Sequence, residues 1–292
     1  MRILAEKYFS IDRGVARNLI NLIQNMKPAK RGIDRCAYLF DEYAVLSTRR
    51  LKLRNVDVRD DNLLYFDDII EKLARLHKRG VHVVPILGYC YDSETADGSG
   101  YIFQKRAPGH ELYDDAAICI YEAWTQNKSE IYLKSDIDPK DHILTRTHMI
   151  ANAPQKHFDK FIKDIRAILS CDILIDFQGK SNFFYDEKEG FYFIDLDSHT
   201  DNYYGLTKNH LDVDALTAIG GFVPCHFSVG TKVFAPAALD ERAVKEIGEN
   251  NLKRLAADNA HIFAKCKAAM LNNGIPESTV KASLEKIKIY GL

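Results

Sequence analysis

Two periods of apolar residues divide this chain. Ser10-Ile11-Asp12 opens a stretch in which Ile11, Val15, Leu19, Leu22, Ile23 and Met26 recur at helical spacing, with Pro28 after its end, so a first helix is predicted there. Two β-type runs follow, 36–40 and 43–48, separated only by Asp41-Glu42, which predicts an antiparallel hairpin. From Asp61 a second helical pattern runs through Leu64, Ile69, Ile70, Leu73 and Leu76, and Gly80 suits the left-handed position just past its end. Two further strands, 81–91 and 101–106, flank a turn-rich stretch, 92–100. The order of hairpin, helix and two strands predicts a mostly antiparallel sheet with one helix packed on it.

After Pro108-Gly109 helical periodicity takes over, in 112–124, 157–169, 242–272 and 278–289. Within this half lies one β island with short strands at 173–175, 183–185 and 192–194. The pattern predicts an α+β protein with a small antiparallel-sheet lobe, 1–106, and a mainly helical lobe, 107–292. Phe158, Phe161 and Ile165 fall at helical spacing and are expected in the core, and the aromatic stretch 183–193 reads as hairpin packing.

Bulk properties narrow the function classes. The 292 residues are 46% hydrophobic and 28% charged, enough for a core that needs no disulfide or structural metal. A net charge of −1, with Lys+Arg 40 and Asp+Glu 41 interspersed, gives no reason to expect nucleic acid or an anionic membrane as partner. Six scattered cysteines without a C-x-x-C pair read as reduced thiols, and no apolar run approaches the ~20 residues that span a bilayer. With no leader-like N-terminus, a cytoplasmic protein is expected. The ten histidines contain no His-Glu-x-x-His, which argues against a zinc enzyme.

The stretch 173–197 carries the chemistry. Two apolar strands are each followed by acidic or amide side chains, with the turn 186–190 between them, which would bring Asp176, Asn182 and Asp195 to one rim of a hairpin. Hard oxygen ligands plus one further carboxylate are what Mg²⁺-assisted phosphoryl transfer uses.

On these residues the chain resembles the protein-kinase-like superfamily, including aminoglycoside-type phosphotransferases. Asn182 and Asp195 are 13 residues apart, a spacing common between that superfamily's metal-binding Asn and Asp. The resemblance implies a bilobal fold, ATP and Mg²⁺, Asp176 as catalytic Asp, Asn182 and Asp195 as metal ligands, and Lys180 as a charge-neutralising group. Residues 101–112 are similar to the strand and hinge that contact adenine. That implies Gln104 as gatekeeper, with the Lys105 carbonyl and Ala107 N–H as adenine partners. Glu71 matches the helix glutamate that pairs with a phosphate-binding lysine, and Asp212 the buried Asp behind the catalytic loop.

The chain also departs from the pattern. The step from Asp176 to Asn182 is six positions rather than five, and Gly32 is the lone glycine of the expected glycine loop. Residues 43–47 put Leu46 or Ser47 where the strand lysine belongs, leaving Lys52, 19 residues before Glu71, or else Arg49 or Arg50, as the cation. Asp195-Leu196-Asp197 replaces Asp-Phe-Gly, only 17 residues separate Asp195 from Asp212, and no Ala-Pro-Glu occurs. The expected activity is ATP- and Mg²⁺-dependent phosphoryl transfer to a protein Ser/Thr hydroxyl. The alternatives are a small-molecule acceptor, or a pseudokinase that binds without turnover.

Overall fold

The computed structural model describes residues 10–31, 35–48, 59–91, 100–111, 148–173, 175, 183–194, 196 and 249–288. The chain forms two compact units, Met1–Ala107 and Pro108–Leu292.

The first unit opens with α1 (Arg13–Ile23), followed by β1 (Lys30–Arg31), β2 (Arg35–Leu39), β3 (Tyr43–Thr48), α2 (Arg59–Lys78), β4 (Ile86–Tyr91) and β5 (Gly100–Lys105). The strands form one antiparallel sheet in the order β1-β2-β3-β5-β4. The predicted hairpin is present: Leu39 pairs with Ala44, and the Phe40 N–H donates to the Tyr43 carbonyl at 2.8 Å, closing the turn over Asp41-Glu42. Asp12 caps α1, its Oδ1 accepting from the N–H groups of Gly14 (2.8 Å) and Val15 (3.0 Å).

The face that α1 buries differs from the expected one. Ala16, Leu19, Ile20 and Ile23 pack with Cys36, Tyr38, Val45, Cys90 and Phe103, whereas Leu22 is 53% and Met26 39% exposed. Leu22 projects roughly 110° round the helix from the centre of that stripe, and Met26 lies beyond the helix end. α2 ends as its pattern predicts. Gly80 sits at φ +77°, its N–H bonds the His77 carbonyl, and the Val81 N–H reaches back to Leu76.

The expected strand 81–91 begins only at Ile86. Val81, Val83 and Val84 are buried outside any strand, and Pro85 has no N–H for a ladder. Leu87 forms a bulge against β5, and its carbonyl accepts from both the backbone N–H (2.7 Å) and the hydroxyl (3.1 Å) of Ser10, tying the entry to α1 to this edge. The two-residue β1 has no counterpart in the sequence pattern.

In the second unit β6 (His110–Glu111) pairs with β7 (Phe183–Asp186), which pairs with β8 (Gly190–Phe193). The helices are α3 (Gln155–Leu169), α4 (Glu249–Asn272) and α5 (Glu277–Lys288), plus a helical segment at 148–152. α3 buries Phe158, Phe161, Ile162, Ile165, Ile168 and Leu169 on the predicted stripe. Those side chains meet the inward face of the hairpin. Phe161 stacks on Phe193 (5.0 Å between centroids, 6° between planes), and Phe158 meets the edge of Phe191.

Lys265 on α4 donates to the carbonyls of Ala151 and Ala153, closing the 148–152 turn, and lies 5.5 Å over the Phe158 ring. Among the described cysteines Cys36, Cys90 and Cys266 are buried, Cys171 is half-buried and none is in a disulfide. No helix among the described residues is long and apolar enough to cross a membrane.

Candidate nucleotide-binding site

Of the residues singled out from the sequence, Glu71, Gln104, Lys105 and Ala107 are described. Lys52, Asp176, Lys180, Asn182 and Asp195 lie outside the described residues, as do Arg49, Arg50, Asp197 and Asp212.

Gln104 stands near the end of β5, directly opposite Ala44 on β3 and Ile86 on β4, and is only 9% exposed. Strand alternation places it with Ala44, Leu46 and Ile102 on the sheet face turned away from α1, because Val45, Phe103 and Cys36 belong to the α1 core. The two positions that the sequence offered for the strand lysine lie on opposite faces. Leu46 shares the face of Gln104, and Ser47 faces the other way. β3 itself contributes no cation to this face, since Tyr43–Thr48 contains no Lys or Arg.

The peptide groups at the end of β5 have a defined phase. The Arg106 N–H donates to the Glu42 carbonyl at 3.0 Å, so the backbone polar groups of Arg106 and Gln104 face β3. Those of Lys105 therefore face the β4 side. With Ile86 opposite Gln104, the residue next in register is Pro85, which has no N–H to give the Lys105 carbonyl. The Arg106 guanidinium donates to the Phe40 carbonyl at 3.3 Å and holds this strand end against the β2–β3 turn. The Lys105 side chain is exposed and Ala107 half-buried. Glu71 lies on the exposed side of α2, beside the buried Ile70 and Leu73.

The second unit supplies the hairpin. Phe183 pairs with Phe193, so the chain neighbours at its open end are Asn182 and, one residue beyond Ile194, Asp195. At the closed end Asp186 Oδ1 accepts from the N–H groups of Lys188 and Glu189, both at 2.9 Å. Beneath it His157 is 3% exposed, with Nδ1 3.1 Å from the Tyr185 hydroxyl. Burial, then the Lys156 charge, lower the His157 pKa against smaller upward contributions from the Lys188 backbone and Asp186. Burial, with Glu187 and Asp186 beside it, pushes the Tyr185 hydroxyl up to about 12.

Pro108-Gly109, legible only as a junction, proves to be a close contact. Gly109 adopts φ +76°, a Cβ there would fall 2.1 Å from the Tyr185 carbonyl oxygen, and the next residue, His110, pairs with Tyr185. This pairing of β6 onto β7 had no signal in the sequence, because a two-residue strand has no periodicity. Among the described residues no group of three or more His, Cys, Asp or Glu could hold a metal ion.

A five-stranded antiparallel sheet with one long helix between β3 and β4, then a mainly helical unit carrying a β hairpin, is the α+β arrangement that the sequence resemblance implies. The fold is α+β.

No protein-family model matches the chain, and no curated protein does. Among solved structures, one of WbdD in co-crystal with the kinase inhibitor LY294002 is similar at 12% identity and TM-score 0.35. That similarity covers 86% of this chain, which spans only 46% of the WbdD chain. WaaP in complex with acyl carrier protein is similar at 13% identity and TM-score 0.34, over 92% of this chain and 98% of that one. A Neurospora crassa PAN3 pseudokinase mutant is similar at 11% identity and TM-score 0.35, over 94% of this chain and 76% of that one.

Proposed function

We propose that the chain is an ATP- and Mg²⁺-dependent phosphotransferase that transfers the terminal phosphoryl group to a hydroxyl, with a protein Ser or Thr as acceptor. The observation that carries the reading is the register of the β7–β8 hairpin, whose open end continues covalently into Asn182 and Asp195. An amide and a carboxylate supply the hard oxygen donors that suit Mg²⁺. The end of β5 supports the nucleotide half of the reading. There the Lys105 carbonyl faces a proline and Gln104 lies among apolar neighbours, as a flat heterocycle with hydrogen-bonding edges would require.

In this reading Asn182 and Asp195 hold Mg²⁺, which when bound neutralises charge on the nucleotide phosphates. Asp176 orients the acceptor hydroxyl and takes its proton, and Lys180 offsets charge on the transferring group. The Lys105 carbonyl and the Ala107 N–H hold the base. Lys52, Arg49 or Arg50, together with Glu71, steadies the remaining phosphates.

A second reading, a pseudokinase, is favoured by one specific observation: Leu46 occupies the β3 position that shares a face with Gln104, where a phosphate-binding cation is expected. A thermal-shift titration with ATP, with and without Mg²⁺, tests the site. The proposal expects a Mg²⁺-dependent rise in Tm that Asp195→Ala loses. An undiminished response in that variant would refute the metal assignment, and a Mg-ATP response without phosphoryl transfer to any acceptor would favour the pseudokinase.

A further inference from the structure

The strands of the first unit carry four charged residues, Lys30, Arg31, Arg35 and Lys105, and all four are cations. Register divides them between the two faces of the sheet. Arg31 pairs with Cys36 and Lys105 with Tyr43, which puts both on the α1 face. Lys30 pairs with Ala37, Ala37 with Leu46 and Leu46 with Ile102, so Lys30 heads a row across the Gln104 face. Arg35 precedes Ala37 by two residues on β2 and stands opposite Thr48, on that same face.

The Gln104 face is open where these two cations stand. Ala44, Tyr89 and Ile102 are buried, whereas Ala37 and Leu46 are half-buried and Leu39 is exposed. None of the five strands brings a carboxylate to it. A diagonal step across an antiparallel pair spans about 7–8 Å, within reach of a long side chain. By that step Arg35 neighbours Leu46, the β3 position that lacks a cation, and Lys30 neighbours Arg35. A lysine on an edge strand such as β1 also guards against edge-to-edge pairing. That reason does not extend to Arg35, because β2 is paired on both sides.

We infer that Lys30 on β1 and Arg35 on β2 are the phosphate-binding cations of this face, in place of a cation on β3. The inference rests on the proposed nucleotide site and names residues that meet its phosphate chain. An arginine grips phosphate oxygens with a planar fork and a lysine acts as a compact charge. The small Ala37 beside both positions lets an anion approach the strands.

The experiment is isothermal titration of the full chain with Mg-ATP and with adenosine. It compares the wild type with Lys30→Gln, Arg35→Gln and the double variant Arg35→Gln/Leu46→Lys. Each single loss should weaken ATP binding about tenfold and leave adenosine, which has no phosphate, within about twofold. Leu46→Lys should return ATP binding in the Arg35→Gln chain to within about threefold of the wild type, because it restores the charge one diagonal step away.

Unchanged ATP binding in either single variant overturns the pair and leaves the nucleotide site standing. Adenosine and ATP weakened in parallel show that the residue serves the fold, and also overturn it. So does a selective loss of ATP binding that Leu46→Lys fails to restore, since the charge then acts away from Leu46. If the wild type binds neither ligand, the nucleotide reading itself is wrong and this inference falls with it.

Discussion

Both units lay one amphipathic helix on antiparallel strands, but they bury different side chains. α1 packs Ala16, Leu19, Ile20 and Ile23 on a five-stranded sheet, against Cys36, Tyr38, Val45, Cys90 and Phe103. α3 packs Phe158 and Phe161 on the β7–β8 hairpin, against Phe183, Phe191 and Phe193. A wide sheet satisfies its backbone through its own ladders and can pack small residues, even leaving Gln104 buried on its far face. A two-residue strand and a hairpin are marginal alone, and they persist because each aromatic ring removes more apolar surface than an aliphatic side chain. Stability in the second unit is therefore concentrated in a few rings. In the first it is shared between the aliphatic side chains of α1 and a sheet face that mixes Cys36, Val45 and Cys90 with the rings of Tyr38 and Phe103.

The largest test of that contrast is Phe161→Ala. Phe161 touches Phe183, Phe191 and Phe193, so its loss should cost about 3–5 kcal/mol in denaturant unfolding. Ile20→Val, in the distributed core, should cost about 0.5–1.5 kcal/mol, and equal losses would erase the distinction.

Next in size is Gly109→Ala. The left-handed backbone alone contributes about 1–2 kcal/mol, and the clash with the Tyr185 carbonyl adds to it. Faster amide exchange at His110 and Tyr185 should accompany that loss, and unchanged protection would show that β6 is not held by this contact.

Asp12→Ala removes two hydrogen bonds at the start of α1 and should cost about 1 kcal/mol, read as a small fall in urea midpoint without a change in slope.

The smallest effect is a pH dependence. The folded pKa of His157 lies below its ordinary 6.5, so as pH falls through 6.5 the unfolded chain takes up the proton before the folded one does. Stability of the second unit should therefore decline below that pH and be unaffected by His157 above it. His157→Gln should flatten the decline, and an unchanged profile would place its cause elsewhere.

Sequence periodicity carried much of the fold. The α3 stripe, the two-residue turn after Phe40 and the Gly80 stop are local, because each depends on residues within one or two turns of chain. The hydrophobic pattern misplaced Leu22 and Met26, which are apolar but off the stripe that meets the sheet. It also overran at 81–85, where valines look strand-like but Pro85 delays the ladder. Of the site, the Asn182–Asp195 spacing was legible and the hairpin between them is present, while those two side chains lie outside the described residues.

By itself the sequence determined α1, the β2–β3 hairpin, the end of α2 at Gly80 and the buried stripe of α3, and which residue types are available for phosphoryl chemistry. Only the tertiary structure decided that Leu46 rather than Ser47 shares a face with Gln104, that Pro85 stands opposite Lys105, and that Gly109 packs against Tyr185. Those facts depend on strand register and on pairing between distant segments. A shift of one residue would turn every side chain to the other face, and no local pattern in one strand records its partner's position.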